Sequence, residues 1–284
     1  MPDVDQSQGE DNRDLFAPVE HIGGQLDAGV LFICDHASNA LPPEYGSLGM
    51  PPEEFKRHIA YDIGSADVTR ALARHFNAPA VLTCFSRLLI DANRGGDDPT
   101  LVMRVSDGAL IPGNARADAA EIEARRLRFW QPYRDEVRNK IDAMSAAGPL
   151  PVIVSLHSFT SVWRGNPRPW RIGLLWDNDW RMAQALLEEL ETTGHSGVGD
   201  NEPYDGALVG DTLFEHGTAR GLAHVLIELR QDLIATPEMA QDWAGQLAGP
   251  LAKALARPEM HRREQFGSRT ETGLSSYLKA GRQI

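Results

Sequence analysis

The chain alternates between two kinds of pattern. Short apolar runs that end abruptly in polar residues occur at GVLFICDH (29–36), APAVLTCF (78–85), PVIVSLHS (151–158), WRIGLLWD (170–177) and HVLIELR (224–230), and each reads as a buried strand. Between them lie segments of helical periodicity. SADVTRALARHF (65–76) places Ala66, Thr69, Leu72, Ala73 and Phe76 on one face, and 180–191 and 236–256 are similarly amphipathic. A longer helical stretch, 117–147, contains Pro132, which should kink or divide it. Strands alternating with helices predict an α/β fold, a three-layer αβα sandwich with a mainly parallel or mixed central sheet. In such a fold the chemistry lies beyond the carboxyl ends of the strands.

That rule selects a few residues. The first strand ends in Asp35-His36, the third in His157, and the fifth carries Glu228 between Ile227 and Leu229. A carboxylate inside an apolar strand is costly unless it is paired or used. One reading pairs Glu228 with Arg230; another gives it chemistry. Two histidines and a carboxylate form a catalytic zinc set, three protein ligands with a position left for water. Asp62, just before the first long helix, is the preferred third ligand. His58, four residues earlier, is the alternative and would share a face with Asp62 if the segment were helical.

A second constellation follows the second strand in SRLLIDANR (86–94). Asn93 and Arg94 can clamp a substrate carboxylate, and Arg87 can polarise a carbonyl or form a structural ion pair with Asp91. Asn201 and Tyr204 in NEPYDG, His216 in FEHGTARG, and Arg230 are further candidates for contacts with the substrate.

Bulk properties narrow the partners. With 284 residues, one large domain is enough; residues 1–15 are expected to be a disordered segment, 16–257 the domain, and 258–284 a polar tail. The net charge of −12 disfavours nucleic acid and anionic membranes, but a local arginine pocket can still take a small anionic amide. No apolar run approaches the ~20 residues of a membrane span. The acidic start MPDVDQSQGEDNRD is not a signal peptide, and Cys34 and Cys84 read as buried thiols, so a cytoplasmic location is expected. A glycine-rich phosphate loop, a GxSxG nucleophile elbow and a dinucleotide fingerprint are all absent, which counts against kinase, serine hydrolase and dehydrogenase chemistry.

The segments CDHASNALPPEY (34–45), HIAYDIGSADVTRALA (58–73), SRLLIDANR (86–94), SLHSF (155–159), NEPY (201–204) and GLAHVLIELRQDLI (221–234) together resemble the N-formylglutamate amidohydrolase family. More distantly, the arrangement is similar to zinc carboxypeptidases and zinc-dependent cell-wall amidases. The resemblance implies a zinc-exopeptidase-like fold and a divalent metal, zinc by preference, on His36, Asp62 and His157. It also implies Glu228 as general base and hydrolysis of N-formyl-L-glutamate to formate and glutamate. The HxxE of carboxypeptidases is missing, since Asn39 stands three residues after His36. Rival readings are an amidase for another N-acyl amino acid, short peptide or cell-wall fragment, and a non-catalytic binding protein on the same fold.

Overall fold

A computed structural model describes residues 16–270. Seven strands form one sheet: β1 (Val19–Ile22), β2 (Val30–Cys34), β3 (Ala80–Thr83), β4 (Val152–Phe159), β5 (Ile172–Leu175), β6 (Val198–Asp200) and β7 (His224–Arg230). Their spatial order is β1-β3-β2-β4-β7-β5-β6. The four central strands β3, β2, β4 and β7 run parallel. β1 pairs antiparallel to β3 at one edge; at the other, β5 runs antiparallel to β7 and β6 parallel to β5. The sheet is therefore mixed, with a parallel centre.

Helices cover both faces. Alternate residues of β2 point to opposite sides. Val30, Phe32 and Cys34 join one core with α1 (Ser65–Phe76), α4 (Arg181–Thr192) and α6 (Pro237–Leu255). Leu31 and Ile33 join the other with Phe129, Tyr133, Val137 and Ile141. These last four belong to the long stretch expected to break at Pro132. Its backbone stays helical from α2 (Ala119–Arg125) through a π-helical turn (Arg126–Trp130) into α3 (Gln131–Ala147), so the α-helical pattern is interrupted and the helix is not ended. The wide turn comes immediately before Pro132, which lacks the N–H that a continuing α-helix would use.

Five of the seven strands match apolar runs in the sequence. The two edge strands do not: β1 is VEHI and β6 only VGD, each half-covered and too short to make an apolar run. Segment 57–63 is a chain of turns, not a helix, so His58 and Asp62 share no helical face. Gly64 then starts α1 with a φ of 81°, and a Cβ there would lie 2.0 Å from the Ile234 carbonyl oxygen. Glycine is what lets Asp62 and α1 approach the turn that follows β7.

The expected segment 1–15 lies outside the described residues, as do positions 271–284 of the expected tail. Residues 258–270 pack on the domain: Met260 is buried in the core and the Arg269 amide donates to Asp177. No helix among the described residues is long and apolar enough to cross a membrane.

His216, expected at the substrate, instead closes the short helix α5 (Thr212–His216) with its side chain buried. Burial pushes its pKa down to about 4, despite the nearby Glu215 carboxylate. The unfolded chain therefore binds a proton more readily between pH 6.5 and 4, and the contribution of neutral His216 is full above 6.5 and lost as pH falls. Against a His216→Leu variant, the wild type should lose on the order of 3 kcal/mol of additional stability between pH 7 and pH 4 in urea titrations. Parallel pH curves for the two proteins would contradict this burial effect.

Candidate metal and substrate site

The strands β2, β4 and β7 are neighbours, and their carboxyl ends bring distant residues together. His157 on β4 and Glu228 on β7 are direct register partners. His36 follows β2. The Asp62 amide donates to the His36 carbonyl at 3.0 Å, which draws the turn before α1 into the same place. Ser65 anchors that turn from the other side, donating through Oγ to the Asp62 carbonyl at 2.7 Å.

His36, Asp62 and His157 are all buried, and one ligand atom from each lies within 4.8 Å of the others. Asp62 Oδ2 is 3.3 Å from His36 Nδ1 and 2.8 Å from His157 Nδ1. The outward nitrogens are held from behind. His36 Nε2–H donates to Asp91 Oδ1 at 2.7 Å, and His157 Nε2–H donates to Asp35 Oδ2 at 3.1 Å. Each outer carboxylate thus fixes the tautomer that turns Nδ1 inward, the usual support for an imidazole that binds a metal. Asp35 is itself fixed by the Ser155 and Thr212 hydroxyls, at 3.1 and 2.6 Å.

The charges also suit a cation. Asp35, Asp62, Asp91 and Glu228 are four buried carboxylates, and Arg87 is the guanidinium set against them. Burial opposes charge on Asp35, but the hydrogen bond and charge of His157 outweigh it and hold the pKa at about 2. Asp91 is likewise held well below the usual range: burial is overcome by Arg87 and His36. Burial would also neutralise His157, yet Asp35 and Asp62 raise its pKa well above normal, so positive charge is favoured between these two acids. The donor set of two imidazole nitrogens and a carboxylate, in a pocket that demands positive charge, fits a divalent ion such as zinc.

Glu228 behaves differently from the other three acids. It does not pair with Arg230, which bonds Asp232 at 2.8 Å and reaches the carbonyls of Arg168 and Trp170. Its Oε2 has no hydrogen-bond partner among the described residues, and burial pushes its pKa up to about 7. It lines a cavity of about 430 Å³ together with His36, Asp62, His157, Arg87 and Arg94.

The other predicted residues divide. Arg87 does form the ion pair with Asp91, at 2.7 Å, and also reaches Asp62 at 3.5 Å while keeping one side on the cavity. Asn93 lines the cavity and accepts from the Thr212 amide at 3.2 Å. Arg94 is half-buried on the wall, and its guanidinium has no ion pair or hydrogen bond among the described residues. Its backbone is fixed, because its carbonyl accepts from Trp130 Nε1 at 2.9 Å and from buried Arg134 at 3.0 Å. Tyr204 lines the cavity too, its hydroxyl accepting from Arg168 at 3.0 Å.

Asn201, Arg230 and His216 do not line the cavity. Asn201 takes a left-handed φ of 50° and its Oδ1 accepts from the Trp176 and Gly206 amides, which makes it a loop brace. His58 is no ligand; it faces Trp163 and lies 3.6 Å from Asp107. Sequence reasoning missed Asp35 as the support of His157, although it adjoins His36 at the same strand end. Asp211, a cavity-lining helix cap, and Arg168 were missed as well. Arg168 follows a two-residue strand, Asn166–Pro167, which with Val162–Trp163 forms a short hairpin, and nothing in its local sequence pattern marks it.

Solved structures share this fold. A solved structure of an Agrobacterium tumefaciens gene product is 39% identical, covering 84% of this chain and 95% of its own, with a TM-score of 0.78. The N-formylglutamate amidohydrolase of Ralstonia eutropha JMP134 is 20% identical over 87% of this chain and 99% of its own, with a TM-score of 0.59, which shows a shared fold. No functionally curated protein sequence matches the chain. The sequence profile of N-formylglutamate amidohydrolases matches residues 28–235, a span that takes in all the cavity-lining residues named above. The chain therefore belongs to the N-formylglutamate amidohydrolase family, and is a hydrolase of amide bonds.

Proposed function

We propose that this enzyme hydrolyses the amide of a small N-acyl amino acid with the help of one divalent metal ion, and that its substrate is N-formyl-L-glutamate. The observation that carries the reading is Glu228: a buried carboxylate whose Oε2 has no partner among the described residues, in register with His157, on the wall of the cavity that holds the three candidate ligands. His36, Asp62 and His157 would hold the metal, with zinc preferred for two imidazoles and a carboxylate. A bound ion would supply Lewis acidity, lowering the pKa of water and polarising the acyl oxygen.

The protein groups then have distinct tasks. Glu228, with a pKa near neutrality, takes a proton from the attacking water as its oxygen bonds to the acyl carbon. It delivers that proton to the nitrogen as the C–N bond breaks, leaving formate and the free amino acid. Arg94, whose guanidinium has no ion pair among the described residues, takes the α-carboxylate beside Asn93. Arg87 holds Asp91 and Asp62 in place and puts positive charge on the same wall, where negative charge develops on the acyl oxygen.

The reading is tested by amine release from a panel of N-acyl amino acids, with and without a chelator. N-Formyl-L-glutamate should be the best substrate and the chelator should abolish turnover; activity that survives complete metal removal would contradict the proposal. Glu228→Gln keeps the shape but removes the base, and kcat should fall about 10²–10⁴-fold with the melting temperature preserved. Near-wild-type turnover would remove Glu228 from this role. Arg94→Met should raise KM about 10–100-fold with a smaller change in kcat, because it deletes a charged anchor and not the chemistry. A loss confined to kcat would place Arg94 elsewhere in the reaction.

A further inference from the structure

Three arginines are buried among the described residues: Arg125, Arg134 and Arg168. Arg125 has Glu121 at 2.7 Å and Arg134 has Glu215 at 2.6 Å. Arg168 has no carboxylate among the described residues, although it is only 9% exposed. Its Nη1 donates to the Thr160 carbonyl at 3.4 Å, Thr160 Oγ1 at 3.3 Å and the Tyr204 hydroxyl at 3.0 Å. Its Nε and Nη2 make no hydrogen bond among the described residues. Desolvating a guanidinium without an anion is costly. Part of that cost is offset by three aromatic rings, Tyr204, Trp163 and Phe159, with centroids 5.0, 5.3 and 5.6 Å from the guanidinium carbon.

The four residues that touch this guanidinium, Phe159, Thr160, Trp163 and Tyr204, all line the catalytic cavity. Arg168 forms the layer directly behind that wall. The Tyr204 oxygen is engaged as an acceptor, so its own proton is available to a ligand. Arg94 on the cavity wall and Arg168 behind it thus have no ion pair among the described residues, whereas Arg87 has two. An N-acyl amino acid with a neutral side chain would bring one negative charge, and a dicarboxylic one brings two.

We propose that Arg168 and Tyr204 anchor the side-chain carboxylate of a dicarboxylic N-acyl amino acid, and so determine specificity while Arg94 holds the α-carboxylate. The inference rests on the reading of the cavity as the site for N-formyl-L-glutamate. It adds the residues that separate this substrate from its neutral analogues. Tyr204 donates directly to the carboxylate; Arg168 polarises the phenol and supplies the countercharge.

The test compares kcat/KM for N-formyl-L-glutamate and the isosteric, neutral N-formyl-L-glutamine in the metal-loaded wild type, Arg168→Met, Arg168→Lys and Tyr204→Phe. Calorimetric binding of L-glutamate and L-glutamine to the same proteins runs beside it. The wild type should prefer the acidic side chain about 10–100-fold, the span of a charge-assisted hydrogen-bond pair. Arg168→Met should erase that preference, chiefly through KM, and Arg168→Lys should retain part of it. Tyr204→Phe should lower the preference about tenfold. If Arg168→Met does not fold, Arg168→Lys and Tyr204→Phe carry the comparison. Wild-type indifference between acidic and neutral side chains in both turnover and binding would overturn the proposal. So would an equal loss on both substrates in the arginine and tyrosine variants. If no formyl compound is turned over while glutamate still binds more tightly than glutamine in an Arg168-dependent way, the anchor stands and the proposed reaction fails.

Discussion

Buried negative charge is the constraint on which this structure depends. Four carboxylates are withdrawn from water at the ends of three adjacent strands, and a fold tolerates that only if each has a partner or a task. Asp91 and Asp35 have imidazoles, backed by Arg87 and by hydroxyls. Asp62 stands between both imidazoles. Of these four, only Glu228 leaves an oxygen without a partner among the described residues. The same low-dielectric setting therefore does two jobs: it favours positive charge on the imidazole pair and raises the Glu228 pKa to about 7.

The fold earns this arrangement through adjacency. Because β2, β4 and β7 are parallel neighbours, residues some 190 positions apart in the chain finish at one edge without long loops. Asp62 is not on a strand, so its position depends on a turn fixed by Ser65 and on Gly64, where any side chain would strike the turn that follows β7. The binding wall has its own brace. Arg134, buried beneath the cavity, donates to the carbonyls of Ala92, Arg94, Gly210 and Asp211, and so ties the Asn93-Arg94 loop to the start of α5. The π-helical turn brings Trp130 against the same Arg94 carbonyl.

How much of this was legible in the sequence depended on how local each signal was. Fully buried strands announce themselves as apolar runs, so His36, His157 and Glu228 could be found where those runs end in polar residues. Edge strands β1 and β6 carry no such signal, since half their surface faces water. Asp62 was reached by elimination and resemblance, and His58 stayed open beside it because periodicity cannot distinguish a helix from a run of turns. Arg230 and Asn201 looked like binding residues by chemistry, but both spend their polar groups on backbone or neighbouring loops. Arg168 shows the reverse case: it follows the short hairpin of Val162–Trp163 and Asn166–Pro167 and meets Tyr204 in a separate loop, which no local pattern encodes.

The central claim is that two imidazoles and one aspartate hold a single divalent ion next to Glu228. It is tested most directly by anomalous diffraction from crystals of the purified protein, with data collected on either side of the zinc absorption edge. The account predicts one strong peak in contact with His36 Nδ1, His157 Nδ1 and the Asp62 carboxylate, and no other site of comparable strength. A crystal of active enzyme with no peak there, or with its metal on other residues, would contradict it.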